Sequence, residues 1–340
     1  MTDRIAKKVL ITGGAGYIGS TIASAIIDSG HQPVIIDSLI NGRREFTRNR
    51  IFYEGDINDN NLIARIFDEH RDIDAVIHCA ALIVVPDSVE KPYDYYHENV
   101  TKSLNLFHQL AGLGVKRIVF SSSAALYDTA PGFMVAEESP LKPLSPYART
   151  KLMMEMILED LSRAEGFSTI ALRYFNPIGA DPAMRTGSYL KKASHVMAKI
   201  MQAANGQIPY FSIAGTDWPT RDGTGMRDYM HVWDLAEAHV SAVERFDLCI
   251  AEEGRPFSVI NLGTGNGVTV RELLTAFESV IGKPIPAKEE QPRPGDIAGA
   301  FANCEKAKKR LLWSAKKTVA DGIKDALSWD DARKSILEGF

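Results

Sequence analysis

The sequence predicts an α/β fold in which a doubly wound parallel sheet is joined to a smaller mixed α/β lobe. Three observations predict it. Five short runs rich in β-branched residues have the length of strands, and stretches with helical periodicity separate them. A glycine-rich turn joins the first of these runs to the first helical stretch. The regular alternation ends near residue 176, beyond which Gly and Pro become frequent.

The predicted strands are continuous apolar runs, which is typical of strands buried on both faces of a parallel sheet. They are Val9–Thr12, Val34–Asp37, Ala75–Cys79, Ile118–Ser121 and Ile170–Tyr174. Between them, apolar residues recur at helical spacing and predict amphipathic helices. The predicted inward faces consist of Ile18, Ile22 and Ile26, of Leu62, Ile63, Ile66 and Phe67, and of Leu104, Phe107 and Leu110.

The second half of the chain contains fewer regular elements. Helices are expected near residues 193–205 and from about Asp234 to Phe246, and a strand at Val259–Leu262. Thr269 with a glutamate three residues later predicts a capping box and a further helix. The run from residue 287 to 304 is expected to be irregular. We assign residues 1–176 with about 227–262 to the domain of the parallel sheet, in which a nucleotide site is argued below, and residues 177–226 with 263–340 to the smaller lobe.

The composition excludes several classes of protein. A chain of 340 residues with 45% apolar and 24% charged residues is neither disordered nor collagen-like. A net charge of −4 argues against a broad nucleic-acid surface. Three widely spaced cysteines fit neither a disulfide framework nor a metal site. The chain has no apolar run of membrane-spanning length and no signal-like start, so we expect a cytoplasmic protein that does not associate with membranes.

The glycine-rich turn predicts a dinucleotide site. Glycines at 13, 16 and 19 allow a tight turn, close approach of a pyrophosphate and close packing of helix on strand. Asp37 ends the second predicted strand, where a carboxylate can bind a ribose diol and repels a 2′-phosphate, so NAD is expected rather than NADP. Asp56 is a candidate acceptor for the adenine amino group. A turn without a ligand, and an exposed turn residue at Asp56, remain the alternatives.

A second motif predicts acid–base chemistry. Ser145 and Pro146 have the pattern of an N-cap and a first helical residue. Tyr147 and Lys151 lie four residues apart and therefore share a helix face. The ammonium, the helix N-terminus and an oxidised nicotinamide would each lower the pKa of the phenol, which makes Tyr147 a candidate general base. Ser123 follows a predicted buried strand, where α/β sheets bind ligands. An exposed helix pair is the alternative reading of the Tyr–Lys spacing.

With these motifs, the chain resembles the extended short-chain dehydrogenase/reductase superfamily, whose fold is Rossmann-like. More narrowly, it resembles the UDP-glucose (UDP-galactose) 4-epimerase family over nearly its whole length. The glycine turn and the Tyr-x-x-x-Lys spacing are generic to the superfamily. The blocks RYFNPIGA at 173–180 and DGTGMRDYMHVWDLA at 222–236 are more specific to the epimerases.

The resemblance implies a role for each matching residue. The catalytic set consists of Ser123, Tyr147 and Lys151, of which the lysine also holds the nicotinamide ribose. Besides Tyr147 and Lys151, the implied cofactor contacts are Gly13, Gly16, Tyr17, Ile18, Gly19, Asp37, Ser38, Asn41, Asp56, Ile57, Ala80, Ala81, Asn99 and Tyr174. Besides Ser123 and Tyr147, the implied UDP-sugar contacts are Asn176, His195, Arg227, Arg293, Asp296 and Ala300.

The resemblance also implies an activity and an assembly. The activity is epimerisation of a UDP-hexose by transient oxidation at carbon 4, with NAD tightly bound. The assembly is a homodimer formed through two helices of the nucleotide domain. The face near Leu104–Leu113 is a candidate for it, although burial against the sheet explains that face equally well. A UDP-glucuronate 4-epimerase and a non-catalytic NAD sensor are the alternative functions, and Ala124-Ala125 excludes a 4,6-dehydratase, which needs an Asp-Glu pair there.

Several residues depart from the commonest epimerase pattern. Ile83 stands where many members have a lysine near the cofactor phosphates, while Lys102 and Asp128 replace glycines. His195 occupies the position of an asparagine that contacts substrate in some members. Ala300 stands near the position of a bulky tyrosine in members restricted to plain hexoses. The smaller side chain implies room for the N-acetyl group of UDP-GlcNAc and UDP-GalNAc.

Overall fold

The computed structural model describes residues 6–189, 195–292 and 298–337. Its central feature is a seven-stranded sheet in which every neighbouring pair is parallel. The strands are β1 (Lys8–Thr12), β2 (Gln32–Asp37), β3 (Ile51–Glu54), β4 (Ile73–His78), β5 (Arg117–Ser121), β7 (Ser168–Tyr174) and β12 (Phe257–Leu262). Their order across the sheet is β12-β7-β5-β4-β1-β2-β3. This arrangement confirms the predicted doubly wound parallel sheet. The strand order reverses between β1 and β4, where such sheets bind ligands.

Twelve α-helices are present in the described part of the chain. They are α1 (Tyr17–Asp28), α2 (Asn60–Glu69), α3 (Val85–Glu90), α4 (Pro92–Tyr96), α5 (Lys102–Gly112), α6 (Pro146–Ala164), α7 (Val196–Ala204), α8 (Val232–Glu244), α9 (Phe246–Glu253), α10 (Val270–Ile281), α11 (Glu305–Leu311) and α12 (Val319–Ile336). Short 3₁₀ segments lie at Arg44–Thr47, Ala124–Leu126 and Pro131–Phe133, and a π-helical turn at His97–Thr101 precedes α5. The capping box at Thr269 is formed as predicted.

Apolar side chains cover both faces of the central sheet. On one face, α1 and α8 bury residues such as Ile22, Ile26 and Leu235. On the other, α2, α5 and α6 bury residues such as Ile63 and Phe107. One predicted inward face is partly wrong. Leu104 is 38% exposed, because α5 turns Leu106, Phe107 and Leu110 toward the sheet instead.

Smaller sheets form beyond the central one. A four-stranded sheet has the order β13 (Val268–Thr269), β10 (Met226–Arg227), β15 (Gly299–Ala302), β6 (Met134–Val135), and two-stranded sheets join β8 (Asn176–Ile178) to β11 (Tyr229–His231) and β9 (Phe211–Ala214) to β14 (Ala287–Glu290). The expectation that residues 287–304 are irregular is therefore wrong, since β14 and β15 lie there. Both strands pair with segments more than 70 residues away, and no local pattern reveals such partners.

Two further findings concern the described residues as a group. No described helix is long and apolar enough to cross a membrane. The three cysteine thiols, Cys79, Cys249 and Cys304, are all free.

Candidate active site

The glycine turn connects β1 to α1 and leaves no room for side chains at two of its three glycines. A Cβ on Gly19 would lie 2.3 Å from the carbonyl oxygen of Gly13. A Cβ on Gly13 would lie 2.7 Å from the backbone nitrogen of Ala80, and Gly13 also has a φ of +69°. At Gly16 the nearest atom is 3.3 Å away. Gly13 and Gly19 are therefore required by the turn itself, whereas a Cβ at Gly16 would be tight without being forbidden.

The first residues of α1 follow the glycine turn directly. Gly16 is the N-cap and supplies no side-chain cap, and Tyr17 and Ile18 follow it. The Tyr17 hydroxyl donates to the carbonyl oxygen of Gly179 at 2.7 Å, so its ring is tied away from the turn. The phenol oxygen of Tyr189 accepts the backbone N–H of Tyr17. Sequence reasoning missed Tyr189, because nothing in its local sequence connects it with a turn 170 residues earlier.

Asp37 lies at the carboxyl end of β2, beside the glycine turn. Its carboxylate accepts the backbone N–H of Ala15 at 3.0 Å and that of Leu39 at 2.8 Å. Burial raises the pKa of Asp37, and the two N–H groups partly offset this. Ser38 and Asn41 lie exposed in the following loop. The carboxylate that is predicted to bind ribose is thus held rigidly next to the predicted diphosphate site.

Asp56 and Ile57 follow β3, the next strand beyond β2. Ile57 is buried in the apolar core, and Asp56 is half-buried. The Asp56 carboxylate is hydrogen-bonded to the side chain of Lys102 and to a backbone N–H of its own loop. The three predicted cofactor-binding features, which are the glycine turn, Asp37 and Asp56, therefore lie side by side along one edge of the sheet.

Ala80 and Ala81 follow β4 and are half-buried. Asn99 lies behind them, and its side-chain amide is fully used within the chain. Its Oδ1 accepts the N–H of Leu82 at 2.7 Å, while its Nδ2 donates to the Leu82 carbonyl at 2.9 Å and to Thr150 Oγ1 at 3.2 Å. Both amide hydrogens are therefore taken. Asn99 shapes the β4 loop and links it to α6.

Ser123 and Tyr147 are brought into contact from β5 and α6. The Ser145 hydroxyl accepts the N–H of Ala148 at 3.1 Å, which confirms the predicted N-cap, with Pro146 as first helical residue. Tyr147 is therefore fixed at the start of α6. Its phenol is hydrogen-bonded to the hydroxyl of Ser123. Burial raises the pKa of Tyr147, and this hydrogen bond lowers it.

Lys151 is buried one turn further along α6. Its Nζ donates to the carbonyl oxygen of Ser121 at 2.7 Å and lies 4.9 Å from the ring centre of Phe120. Burial lowers its pKa to about 8, although Cys79 and Glu155 raise it. The exposed-pair alternative is excluded because Lys151 and Tyr147 are only 3% and 7% exposed. The expectation that this ammonium lowers the pKa of Tyr147 is not met by the chain alone, since the ammonium is directed at a carbonyl.

A hydrogen-bonded chain of neutral groups supports the strand end behind Lys151. His239 Nδ1 faces the carbonyl oxygen of Leu235 at 2.9 Å, and burial lowers the pKa of His239 to about 4. Nδ1 therefore carries the proton, and Nε2 accepts from the hydroxyl of Ser121 at 3.1 Å. The phenol of Tyr174 is in turn hydrogen-bonded to Ser121. Tyr174, a predicted cofactor contact, is thus oriented by a residue from α8.

A buried ion pair underlies the predicted catalytic residues, and sequence reasoning missed it. Arg173 Nη2 donates to Glu155 Oε2 at 2.6 Å and Arg173 Nε to Oε1 at 2.9 Å, with both side chains 5% exposed. The Ser122 hydroxyl donates to the same carboxylate at 2.5 Å. Arg173 also reaches the Tyr127 hydroxyl at 3.0 Å. Glu155 lies four residues after Lys151, so its position on the inward face of α6 could have been inferred from the sequence.

The predicted substrate residues meet on the smaller sheets. Arg227 and Ala300 are register partners on β10 and β15. The backbone N–H of Asn176 donates to the carbonyl oxygen of Asp228 at 3.0 Å. The buried Asp228 carboxylate accepts the N–H of Ala302 at 3.2 Å and also takes two backbone N–H groups of the 264–265 loop. Asp228 therefore holds together the strands that carry Arg227 and Ala300.

Three other predicted substrate contacts do not lie on the strands just described. His195 is exposed at the start of α7, and its side chain does not cap the helix. Arg293 and Asp296 lie outside the described residues. Among the departures from the family pattern, Ile83 is 46% exposed after β4.

Comparisons with known proteins agree with this geometry. The model of the NAD dependent epimerase/dehydratase family matches residues 9–263. A UDP-glucose 4-epimerase of Azospirillum brasilense is 43% identical over 334 residues, covering 97% of this chain and 94% of the relative.

Solved structures give the same result. The UDP-glucose 4-epimerase of Stenotrophomonas maltophila, with bound NAD and formylated UDP-arabinopyranose, has a TM-score of 0.90 at 38% identity and covers 97% of this chain and 99% of its own. The UDP-Glc/GlcNAc 4-epimerase of Campylobacter jejuni has a TM-score of 0.81 at 32% identity, covering 96% and 99%.

Proposed function

The chain belongs to the NAD-dependent epimerase/dehydratase family, and from this membership and the geometry we infer that it is a UDP-hexose 4-epimerase that interconverts UDP-glucose and UDP-galactose. One observation carries the inference most strongly. Ser123, Tyr147 and Lys151 come together at the carboxyl end of the sheet, next to a turn whose glycines fit a dinucleotide. A binding protein without catalysis has no need of a buried phenol held against a hydroxyl.

The chain's own residues fit NAD. The turn leads into the N-terminus of α1, where Gly16 is the N-cap without a side-chain cap and the helix dipole favours a diphosphate. Asp37 offers a fixed carboxylate to the adenosine ribose, and Lys151 is the buried cation that would hold the nicotinamide ribose. Bound NAD would supply the hydride acceptor and donor for carbon 4 and, through its positively charged ring, a field that favours the phenolate of Tyr147.

Tyr147 and Ser123 move and hold the proton. In the proposed reaction, the Tyr147 oxygen takes the proton of the sugar's 4-hydroxyl. The Ser123 hydroxyl donates a hydrogen bond to that same sugar oxygen. Lys151 is charged below its pKa of about 8, and its proposed role is to hold the nicotinamide ribose. The same phenol returns the proton after the sugar has presented its other face. The net redox change is zero, so no second substrate is required.

Residues of the smaller sheets would hold the nucleotide while the sugar turns. Arg227 offers a planar, permanently charged fork suited to a diphosphate, and Arg293 and Asp296 are proposed to contact the diphosphate and the uridine ribose. Asn176 and His195 are proposed sugar contacts. Most of the proposed contacts therefore bind the UDP part of the substrate, which leaves the sugar free to rotate.

We further propose that the enzyme also accepts UDP-GlcNAc and UDP-GalNAc. Ala300 is paired with Arg227 in register and packs beside Tyr127 and Phe175. The proposal takes this position to face the sugar, where a methyl group would leave more space than a phenol. The relative from Campylobacter jejuni, named as a UDP-Glc/GlcNAc 4-epimerase, supports a broadened substrate range in this family.

We also propose a cytoplasmic homodimer. Leu104 on α5 and Met153 and Met156 on α6 are 38%, 42% and 60% exposed. Apolar side chains on two adjacent helices of a central domain support packing against a second copy. Sedimentation of the wild type and of a Met156→Glu variant tests this: a dimer that dissociates in the variant is expected, and a monomeric wild type contradicts it.

The proposed function is tested with a panel of UDP-sugars supplied without added NAD. The panel contains UDP-galactose, UDP-GalNAc and UDP-glucuronate, and products are separated by chromatography. We expect turnover of the first two. Tyr147→Phe should abolish turnover while retaining bound NAD, because the proton acceptor is absent and all the other proposed cofactor contacts remain. Failure of the wild type to act on any member of the panel contradicts the proposal, and turnover of UDP-glucuronate alone favours the uronate alternative.

A further inference from the structure

The Lys102 side chain places a positive charge in a largely buried position next to Asp56. Its Nζ lies 2.5 Å from Oδ2 of Asp56 and 2.8 Å from Oε1 of Glu98, and the Lys102 side chain is only 12% exposed. Burial lowers the pKa of Lys102, but the two carboxylates outweigh it and raise the pKa above its ordinary value. The ammonium therefore remains charged, and its hydrogens are directed at two carboxylates.

The carboxylate of Asp56 is held from two sides. Its Oδ2 accepts from Lys102, and its Oδ1 accepts the backbone N–H of Asn58 at 2.8 Å. These two contacts fix both the plane and the direction of the carboxylate. Each carboxylate oxygen retains a further lone pair, so Asp56 can still accept a hydrogen bond from a ligand.

The sheet order places Asp56 where the base of a dinucleotide would lie. The strands β1, β2 and β3 are neighbours, spaced about 4.8 Å apart. The glycine turn follows β1, Asp37 ends β2, and Asp56 follows β3. Diphosphate, ribose and base occur in the same order along adenosine diphosphate. The base end of the adenosine therefore falls next to Asp56 when the diphosphate lies at the turn.

We propose that Lys102 is a positioning residue that fixes Asp56 as the acceptor for the exocyclic amino group of adenine, and that it thereby favours a 6-amino over a 6-oxo purine. The inference rests on the proposed use of NAD. An amino group donates to the fixed carboxylate, whereas a 6-oxo group would place two acceptors against each other. Lys102 acts through Asp56, the carboxylate that its ammonium contacts at 2.5 Å, while a second contact to Glu98 at 2.8 Å holds the ammonium in place.

The test measures release of bound dinucleotide from the holoenzyme. Protein is loaded by exchange with labelled NAD or with its hypoxanthine analogue, and release is followed in excess unlabelled NAD. Lys102→Met keeps most of the side-chain volume and removes the charge. We expect NAD to leave about fivefold to tenfold faster, as for partial loss of a hydrogen bond to a charged acceptor, and the hypoxanthine analogue to change less than about twofold.

Lys8→Met is the matched control. Lys8 is 16% exposed and forms one ion pair, at 2.7 Å with Asp72, at the amino end of β1, away from the site. Release of either dinucleotide should be unchanged in this variant. If Lys102→Met does not accumulate as folded protein, Lys102→Gln is measured by the same criteria.

A double-mutant cycle separates positioning from a general effect on the fold. Asp56→Asn alone should accelerate NAD release, and adding Lys102→Met to it should change nothing more. Equal acceleration of both dinucleotides, or the same factor in the Asp56→Asn background, overturns the inference. A wild type that holds no NAD would contradict the proposed function instead, and nucleotide release is measured independently of epimerase turnover, so the two failures are distinguishable.

Discussion

Glu155→Gln removes one charge from the buried ion pair beneath the proposed catalytic residues. The substitution keeps the shape of the side chain but replaces one acceptor oxygen with an amide that donates. Both Glu155 oxygens accept from Arg173, and Oε1 also accepts from Ser122. The new amide must therefore face a donor, and Arg173 is left with an uncompensated charge at 5% exposure. Breaking such a pair from one side costs about 3–5 kcal/mol of unfolding free energy.

This magnitude translates into a measurable shift. For 340 residues the unfolding entropy is about 0.7 kcal/mol per kelvin, so Glu155→Gln should lower the melting temperature by about 4–7 °C. Turnover should also fall, because Ser122 directly precedes Ser123, a proposed catalytic residue. Glu159→Gln is the matched control on the same helix. Glu159 is 29% exposed and pairs with Arg163 at 2.5 Å, so its loss should cost about 0–1 kcal/mol.

Differential scanning calorimetry of the wild type and both variants, with bound NAD quantified in each, provides the measurement. Equal shifts in the melting temperature for Glu155→Gln and Glu159→Gln would refute the reasoning, because the expected difference rests entirely on burial.

Three further predictions follow from the same structure. Ala300→Tyr should lower kcat/KM for UDP-GalNAc at least about tenfold while sparing UDP-galactose; equal loss on both substrates contradicts the proposed substrate range. Gly19→Ala should lower the free energy of unfolding by about 1–3 kcal/mol and reduce the NAD retained per chain, because the new Cβ would lie 2.3 Å from the Gly13 carbonyl oxygen. Gly112→Ala is the control: a Cβ there has no atom within 4 Å, and this variant should retain full NAD in the same assay. His239 has a pKa of about 4 in the folded protein and of about 6.5 when unfolded, so it takes up a proton on unfolding at acidic pH. Lowering the pH from 7 to 5 should therefore remove about 2 kcal/mol of stability. Urea unfolding of His239→Gln should show a pH dependence weaker by that amount, and an unchanged pH dependence refutes the prediction.

Local signals explain why much of the fold could be predicted. The apolar runs of β1, β2, β4, β5 and β7 are visible because strands buried on both faces carry no polar alternation. The N-cap of α6 depends on adjacent residues only, and it forms as predicted. In contrast, β14 and β15 depend on partners far along the chain. Their existence is decided by tertiary pairing, which the local sequence does not contain.

The candidate site divides in the same way. Ser123, Tyr147 and Lys151 follow from a strand end and one helix spacing, and the structure brings them together. The pairing of Lys102 with Asp56 joins residues 46 positions apart and could not be inferred from spacing. Asn99 matches a cofactor contact in the family pattern, yet its amide hydrogens are used within the chain. A sequence pattern gives the residue type, while hydrogen-bond partners decide what it does.

The central claim is that epimerisation proceeds by transient removal of hydride from carbon 4 within a closed site built around Ser123, Tyr147 and Lys151. Turnover of UDP-galactose deuterated at carbon 4, in ordinary water and without added NAD, tests it most directly. Hydrogen held in a C–H bond of the carrier does not exchange with water, so mass spectrometry of the UDP-glucose product should show deuterium retained at carbon 4. Loss of the deuterium to the solvent would show that carbon 4 gives up a proton instead, and would contradict the account.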